Sequence, residues 1–431
     1  MLKTSHTRCR ILSTLLVPPL LTALGILSGH AAVNTWLGGG TDNFWSSSLN
    51  WDNPPVNAGD SLVFAGSNRL LNTNDLTAGL AIAGLTFDSS AGAFILRGNS
   101  IALSGGITNN QAATTETISL PLALSTTVTV DTASNSILML NGTLSGSGCG
   151  LTKIGPGALI LAGTNLCSGN TVISDGVLEL LNSITLMHSP VIQLATDTNT
   201  SPVLDASART DGTLTLAGGQ ALQGNGAIIG NLAENAGATI APGFSAAQLK
   251  VVGNVTLNGQ TVMGIDTFAL TNNQIKATSD ITYGGTLIVT NLATAGPVYG
   301  SFAAGMSFQL FNAVNYHGAF NNVILPPPRG LSPPHTTLAW NNTLNTDGKI
   351  SVVAQYLPIN LGISLAGSNL VLSGVWGLTG SLFSVIATSN VATPFRTWPV
   401  FALGVYNDTG TCTLTNAATG SLNFFTIKVS N

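Results

Sequence analysis

Short runs of alternating apolar residues, each closed by glycine, recur along the chain. They include Phe94-Ile95-Leu96-Arg97-Gly98, Ile101-Ala102-Leu103-Ser104-Gly105, Leu159-Ile160-Leu161-Ala162-Gly163, Leu214-Thr215-Leu216-Ala217-Gly218 and Val255-Thr256-Leu257-Asn258-Gly259. A period of two puts every second side chain on one face, and the closing glycine permits a sharp turn, so each run predicts a short strand with one buried face. Leu159-x-Leu161 is answered 19 residues later by Leu178-x-Leu180. That interval is about one coil of a parallel β-solenoid, in which like side chains of successive coils stack into continuous apolar columns. Corners of such a coil use glycine and asparagine, and strands paired above and below leave open edges only at the two ends.

Composition agrees with coils and argues against long surface helices. The chain has 431 residues, of which 7% are charged and 49 are glycine. Lys, Glu and Arg are too scarce to furnish solvated helix faces, no strict Gly-X-Y period makes it collagen-like, and 44% hydrophobic residues are enough to offset the entropy of ordering. The net charge of −4 supplies no basic patch, which excludes a nucleic-acid binder and a polybasic membrane-surface protein. At the start of the chain, Lys3, Arg8 and Arg10 precede an apolar run from Ile11 to Leu27, and Gly29-His30-Ala31 follows. This pattern predicts a signal peptide over residues 1–31, and hence an exported mature chain, extracellular, at the cell surface or periplasmic. No later stretch is long and apolar enough to be a transmembrane segment of the mature chain.

The stretch Gly150-Leu151-Thr152-Lys153-Ile154-Gly155-Pro156-Gly157-Ala158-Leu159-Ile160-Leu161-Ala162-Gly163-Thr164-Asn165, continued by Ser168-Gly169-Asn170-Thr171-Val172 and Asp175-Gly176-Val177-Leu178, resembles the autotransporter-associated β-strand repeat. Ala158 stands where that repeat usually has Thr, and Leu166-Cys167 where it has Thr-Tyr. Ala241-Pro242-Gly243-Phe244-Ser245, Asn273-Gln274-Ile275 and the opening Thr35-Trp36 to Asn50-Trp51 are similar to segments that accompany such repeats. The resemblance implies a right-handed β-solenoid of the passenger type. Fewer than eighty residues follow residue 353, too few for a translocating barrel, so the solenoid and not self-transport is carried over.

The expected fold is therefore all-β: a right-handed parallel β-solenoid followed by a small antiparallel β-sandwich-like module. The expected organisation is a signal peptide (1–31), an N-terminal β cap or entry segment (32–89), a solenoid (90–354) with the repeat at 146–181, and a C-terminal β module (355–431). Pro326-Pro327-Pro328 and Pro333-Pro334 mark an irregular loop, and Trp376 and Trp398 read as core residues of the module.

Candidate chemistry is sparse. Trp36, Trp45 and Trp51 form the densest aromatic cluster. They read either as a cap over the open end of the solenoid or as a platform stacking on sugar faces. Asp42, Asp52, Asp60 and Asp75 could offer oxygen to calcium, but no Asp-x-Asp-x-Asp-Gly loop contains them, so turn formation is the expectation. Lys153, Asp175 and Glu179 are the ionisable groups of the best repeat, without the paired carboxylates of a glycosidase. His30, His188, His317 and His335 lie in no nucleophile motif. No catalytic, metal-ligating or cofactor-binding residue is assigned. Cys149 and Cys167 are 18 residues apart, close to one coil, and a disulfide between them requires that both face the same way. The functional expectation is a structural or adhesin-like solenoid whose partners are extracellular polysaccharide or another surface protein. The alternative is a carbohydrate-binding or carbohydrate-active β-helix protein.

Overall fold

A computed structural model describes residues 31–195, 200–243, 246–293, 301–331, 336–356, 362–367, 369–374, 382–390, 392, 394, 397–407, 411–417 and 424–429. The signal-peptide expectation, His30, Phe244-Ser245, Pro333-Pro334, His335 and Trp376 lie outside them.

The strands stack in parallel and build a solenoid with three faces. Along the first face, thirteen strands from Val33–Trp36 to Asn322–Ile324 follow one another in chain order. The second face runs through eleven strands from Leu71–Asn74 to Phe311–Asn312. The third face is split. One five-stranded sheet spans Leu80–Ile82 to Asn165–Cys167, and another spans Thr213–Leu216 to Tyr316–Gly318. At about 4.8 Å per step the first face is roughly 60 Å long. Val33–Trp36 already pairs in parallel with Ser61–Phe64, so the segment read as an entry carries coils.

The 19-residue interval is the structural register: Leu159 lies opposite Leu178 and Leu161 opposite Leu180. The column continues from Leu138 through Leu159, Leu178, Leu204 and Ile228 to Val251. All six are fully buried, and each contributes about 1.5–3 kcal/mol relative to exposure. Gly176 shows what the corners demand. Its φ is +69°, and a Cβ there would lie 2.3 Å from the Gly157 carbonyl oxygen and 2.5 Å from that of Gly155, so only glycine fits without strain.

Between the halves of the third face, residues 182–190 cross without a strand. Ile184 and Leu186 still point inward, and the buried Gln220 amide donates to the Leu186 and Ser189 carbonyls at 2.8 and 2.7 Å, tying the crossing to a later coil.

Antiparallel pairing takes over at the C-terminal end. The hairpin Thr336–Thr343 with Lys349–Tyr356 turns through the short helix Leu344–Asp347 and pairs with Ser307–Gln309. Trp340 of this hairpin packs edge-on against Phe302 and donates Nε1–H to the Pro326 carbonyl at 2.7 Å. Pro326–Pro328 itself carries no strand. Beyond lie two three-stranded antiparallel sheets: Gly362–Ala366, Asn369–Gly374 and Cys412–Ala417, then Val400–Val405, Leu382–Thr388 and Phe424–Val429. Their own small core is Leu372, Phe383, Val385, Tyr406 and Cys412. Trp398 is half-buried.

Candidate functional site

The aromatic cluster at the N-terminal end is built by a strand and the loop that crosses it. Trp36 ends the first strand, and a bridge pairs it with Trp51. The rings of Trp36 and Trp51 meet edge-to-face at 5.1 Å, those of Trp45 and Trp51 at 5.9 Å, and Phe64 sits beneath all three. Each indole N–H is satisfied: Trp36 by the Asn68 carbonyl, Trp45 by Asn72 Oδ1 and Trp51 by the Trp45 carbonyl. Trp36, Trp45 and Trp51 are 0%, 1% and 3% exposed. A sugar platform needs an open ring face, and these three faces are spent on one another and on the core. Beside Trp45 is a depression of about 340 Å³, lined by Ser46, Ser48, Pro54, Pro55, Val56 and Leu76.

The four N-terminal aspartates brace this cap. Asp42 Oδ1 accepts from the Phe44 N–H and the Ser47 hydroxyl, and Asp52 Oδ1 from the Thr35 N–H. Asp60 accepts from the Ala32 N–H, the Asn34 amide and the Asn57 N–H. Asp75 holds the Ser46 N–H and hydroxyl. Their oxygens thus serve loop backbones and neighbouring side chains. Among the described residues, no group of three His, Cys, Asp or Glu side chains could hold a metal ion.

Among the described residues of the solenoid, Lys153, Glu116 and Glu234 are ionisable side chains with no exposed surface. Lys153 stands in a column between Val130 and Ile173, and its Nζ donates to the carbonyls of Ile154 and Gly155 at 2.7 Å and of Asp175 at 3.3 Å. Its stem runs through the apolar column and its head closes a corner of two coils, as long charged side chains can. Burial pulls its pKa down to about 8, partly opposed by the charges of Asp175 and Asp131. Glu116 accepts from the Phe94 N–H at 2.8 Å and the Thr114 hydroxyl at 3.0 Å, and burial pushes its pKa up to about 7. Glu234 accepts from the Gly259 N–H, while its Oε1 has no partner among the described residues; burial raises it, too, to about 7. All three are tied to corner backbone.

Other candidates are not brought together. Glu179 and Asp205 are neighbours on the outside of the second face, whereas Asp175 lies at a corner with Oδ1 on the Gly176 N–H. His317 Nε2 is 3.0 Å from Asp280 Oδ2, exposed, and His188 is exposed in the crossing loop. Cys149 and Cys167 are both free. The register sets Gly146, not Cys149, opposite Cys167, because Cys149 lies past the strand on the way to the corner. Burial pushes the Cys167 thiol up to about 11, so it is an inert small apolar residue in the column.

Strict alternation could have located the interior groups: Lys153 is two residues after the inward Leu151, Glu116 two before Ile118, and Glu234 two after Leu232. Trp340 gave no such signal, since Phe302 and the Pro326 carbonyl reach it from distant segments.

Residues 151–180 match the model of the passenger-associated-transport-repeat. The chain is also 29% identical over 283 residues to the adhesin BmaC autotransporter of Brucella suis biovar 1 (strain 1330); the match takes in 64% of this chain and 7% of that protein, so the chain spans only a small part of the relative's length. The chain thus carries an autotransporter passenger repeat as coils of a parallel β-solenoid.

Proposed function

We propose that the protein is an exported, adhesin-like solenoid that acts through its outer faces at the cell surface or outside the cell, without catalysing a reaction. One observation carries this reading: the buried charged side chains Lys153, Glu116 and Glu234 each hold backbone between coils, and among the described residues no group of three His, Cys, Asp or Glu side chains gathers at one place. What the molecule offers its surroundings is roughly 60 Å of stacked coils, poor in charge and rich in Thr, Ser, Asn and small apolar side chains. The matched passenger repeat and the similarity to a bacterial adhesin support export and surface contact.

The test is retention of protein-coated beads on immobilised polysaccharides, matrix proteins and intact cells, with released sugar products followed in the same wells. Saturable retention without product supports the proposal. Product release overturns it in favour of a carbohydrate-active protein. Retention on polysaccharide that Trp45→Ala abolishes in folded protein would move the contact to the N-terminal cap.

A further inference from the structure

The second face carries charge in an order that neighbouring coils alone do not explain. Glu179 and Asp205 are register partners on adjacent coils, and so are Lys250 and Lys276. Like charges directly opposite each other on adjacent strands are destabilising. None of the four takes part in a salt bridge among the described residues. Burial and the charge of Asp205 hold the Glu179 carboxyl above its ordinary value. The two pairs flank a single uncharged coil, whose outward side chains are Ala227 and Ile229. Counting coils from that centre, Asp205 is one step to one side and Lys250 one step to the other; Glu179 and Lys276 are each two steps away.

We infer that this face pairs with a second copy of the chain, antiparallel and face to face about the Ala227–Ile229 coil, so that Asp205 meets Lys250 and Glu179 meets Lys276 from each side. A twofold contact must be self-complementary, and this arrangement turns two repulsive pairs per chain into four attractive ones per dimer. The acidic and basic side chains stand in columns two residues apart along the strands. That offset is about 7 Å, which a lysine stem spans. The centre supplies apolar contact, flanked by Val177 and Val203 on one side and Val252 on the other. The footprint is small. Five coils of a four-residue strand cover on the order of 300 Å² per copy, less than half of what a stable complex usually buries. The pairing is therefore weak and strongly salt-dependent.

Sedimentation velocity of the purified protein over a concentration series tests this. At low ionic strength the wild type should form dimers, and about 0.5 M salt should weaken the association roughly tenfold or more. Glu179→Lys with Asp205→Lys should be monomeric, as should Lys250→Glu with Lys276→Glu. Both variants keep a like-charged pair on each coil step, so their folding is not selectively penalised. Mixed together, the two variants should form a one-to-one heterodimer. A wild type that stays monomeric, variants that still associate, or a mixture that does not re-associate would each overturn the pairing. Monomeric wild type retained on an anionic polymer through Lys250 and Lys276 would assign the face to a foreign acidic ligand instead.

Discussion

The solenoid and the C-terminal antiparallel sheets bury their side chains in different ways. One apolar cluster runs from Trp36 to Val352, and along the coils its strand residues lie opposite counterparts one coil away, as Leu159 does Leu178. In the terminal sheets, five residues form a separate cluster, assembled from strands such as Asn369–Gly374 and Cys412–Ala417 that are distant in sequence. Stability in the first is a sum of nearest-neighbour steps, and in the second a single all-or-none packing. The solenoid also buries polar groups, most of them on corner backbone, although Asn34 Oδ1, Asn72 Nδ2, Thr132 Oγ1, Ser136 Oγ and Glu234 Oε1 have no partner among the described residues. In the terminal cluster, burial beside the Cys412 thiol pushes the Tyr406 pKa up to about 12.

The difference can be broken open by equivalent damage in each region. Trp45→Ala should cost about 3–5 kcal/mol and lower the guanidinium midpoint of the solenoid. Phe383→Ala should cost a similar amount but shift only the transition of the terminal sheets, leaving the solenoid transition in place. A single merged transition responding to both variants would remove the distinction. Next in size is Gly176→Ala: the left-handed backbone and two carbonyls in the path of a Cβ should cost roughly 2–4 kcal/mol, read in the same denaturation experiment.

Smaller again is the pH dependence of the two buried glutamates. Their folded pKa values are raised to about 7, so the folded state holds protons that the unfolded chain releases near 4.5. Their contribution is fully present below about pH 4.5 and is lost as pH rises through about 7. Each amounts to roughly 3 kcal/mol. Glu116→Gln and Glu234→Gln together should flatten the stability profile between pH 5 and 8, and an unchanged slope would refute the assignment. Smallest is Leu166→Ser, at an outward position of the matched repeat that is 49% exposed, which should change stability by no more than about 0.5 kcal/mol.

How much of this could be read beforehand follows the same division. Leu159 and Leu178 announced their pairing because the solenoid repeats its geometry along the chain. The tryptophans near the N-terminus announced themselves as a cluster, but only packing shows that Trp36, Trp45 and Trp51 turn their faces inward. The pairing of Cys149 with Cys167 looked open at a spacing of 18 because a corner can absorb residues unseen in the count. The structure places Gly146 opposite Cys167 instead. Lys153 carried a visible motif, yet its purpose lies in three carbonyl oxygens, two beside it and one a coil away, which no side-chain pattern records. The charge order on the second face needed the register of five coils, because Glu179, Asp205, Lys250 and Lys276 are irregularly spaced in the chain.

If Lys153, Glu116 and Glu234 serve only as ties, removing their charges leaves the outer faces working as before. The direct test is a variant combining Lys153→Met, Glu116→Gln and Glu234→Gln, measured for bead retention on the surface that best holds the wild type, with folding confirmed by circular dichroism. Retention should be undiminished, with only stability and its pH dependence altered. A folded variant that no longer binds would place function among the buried groups and contradict their role as ties.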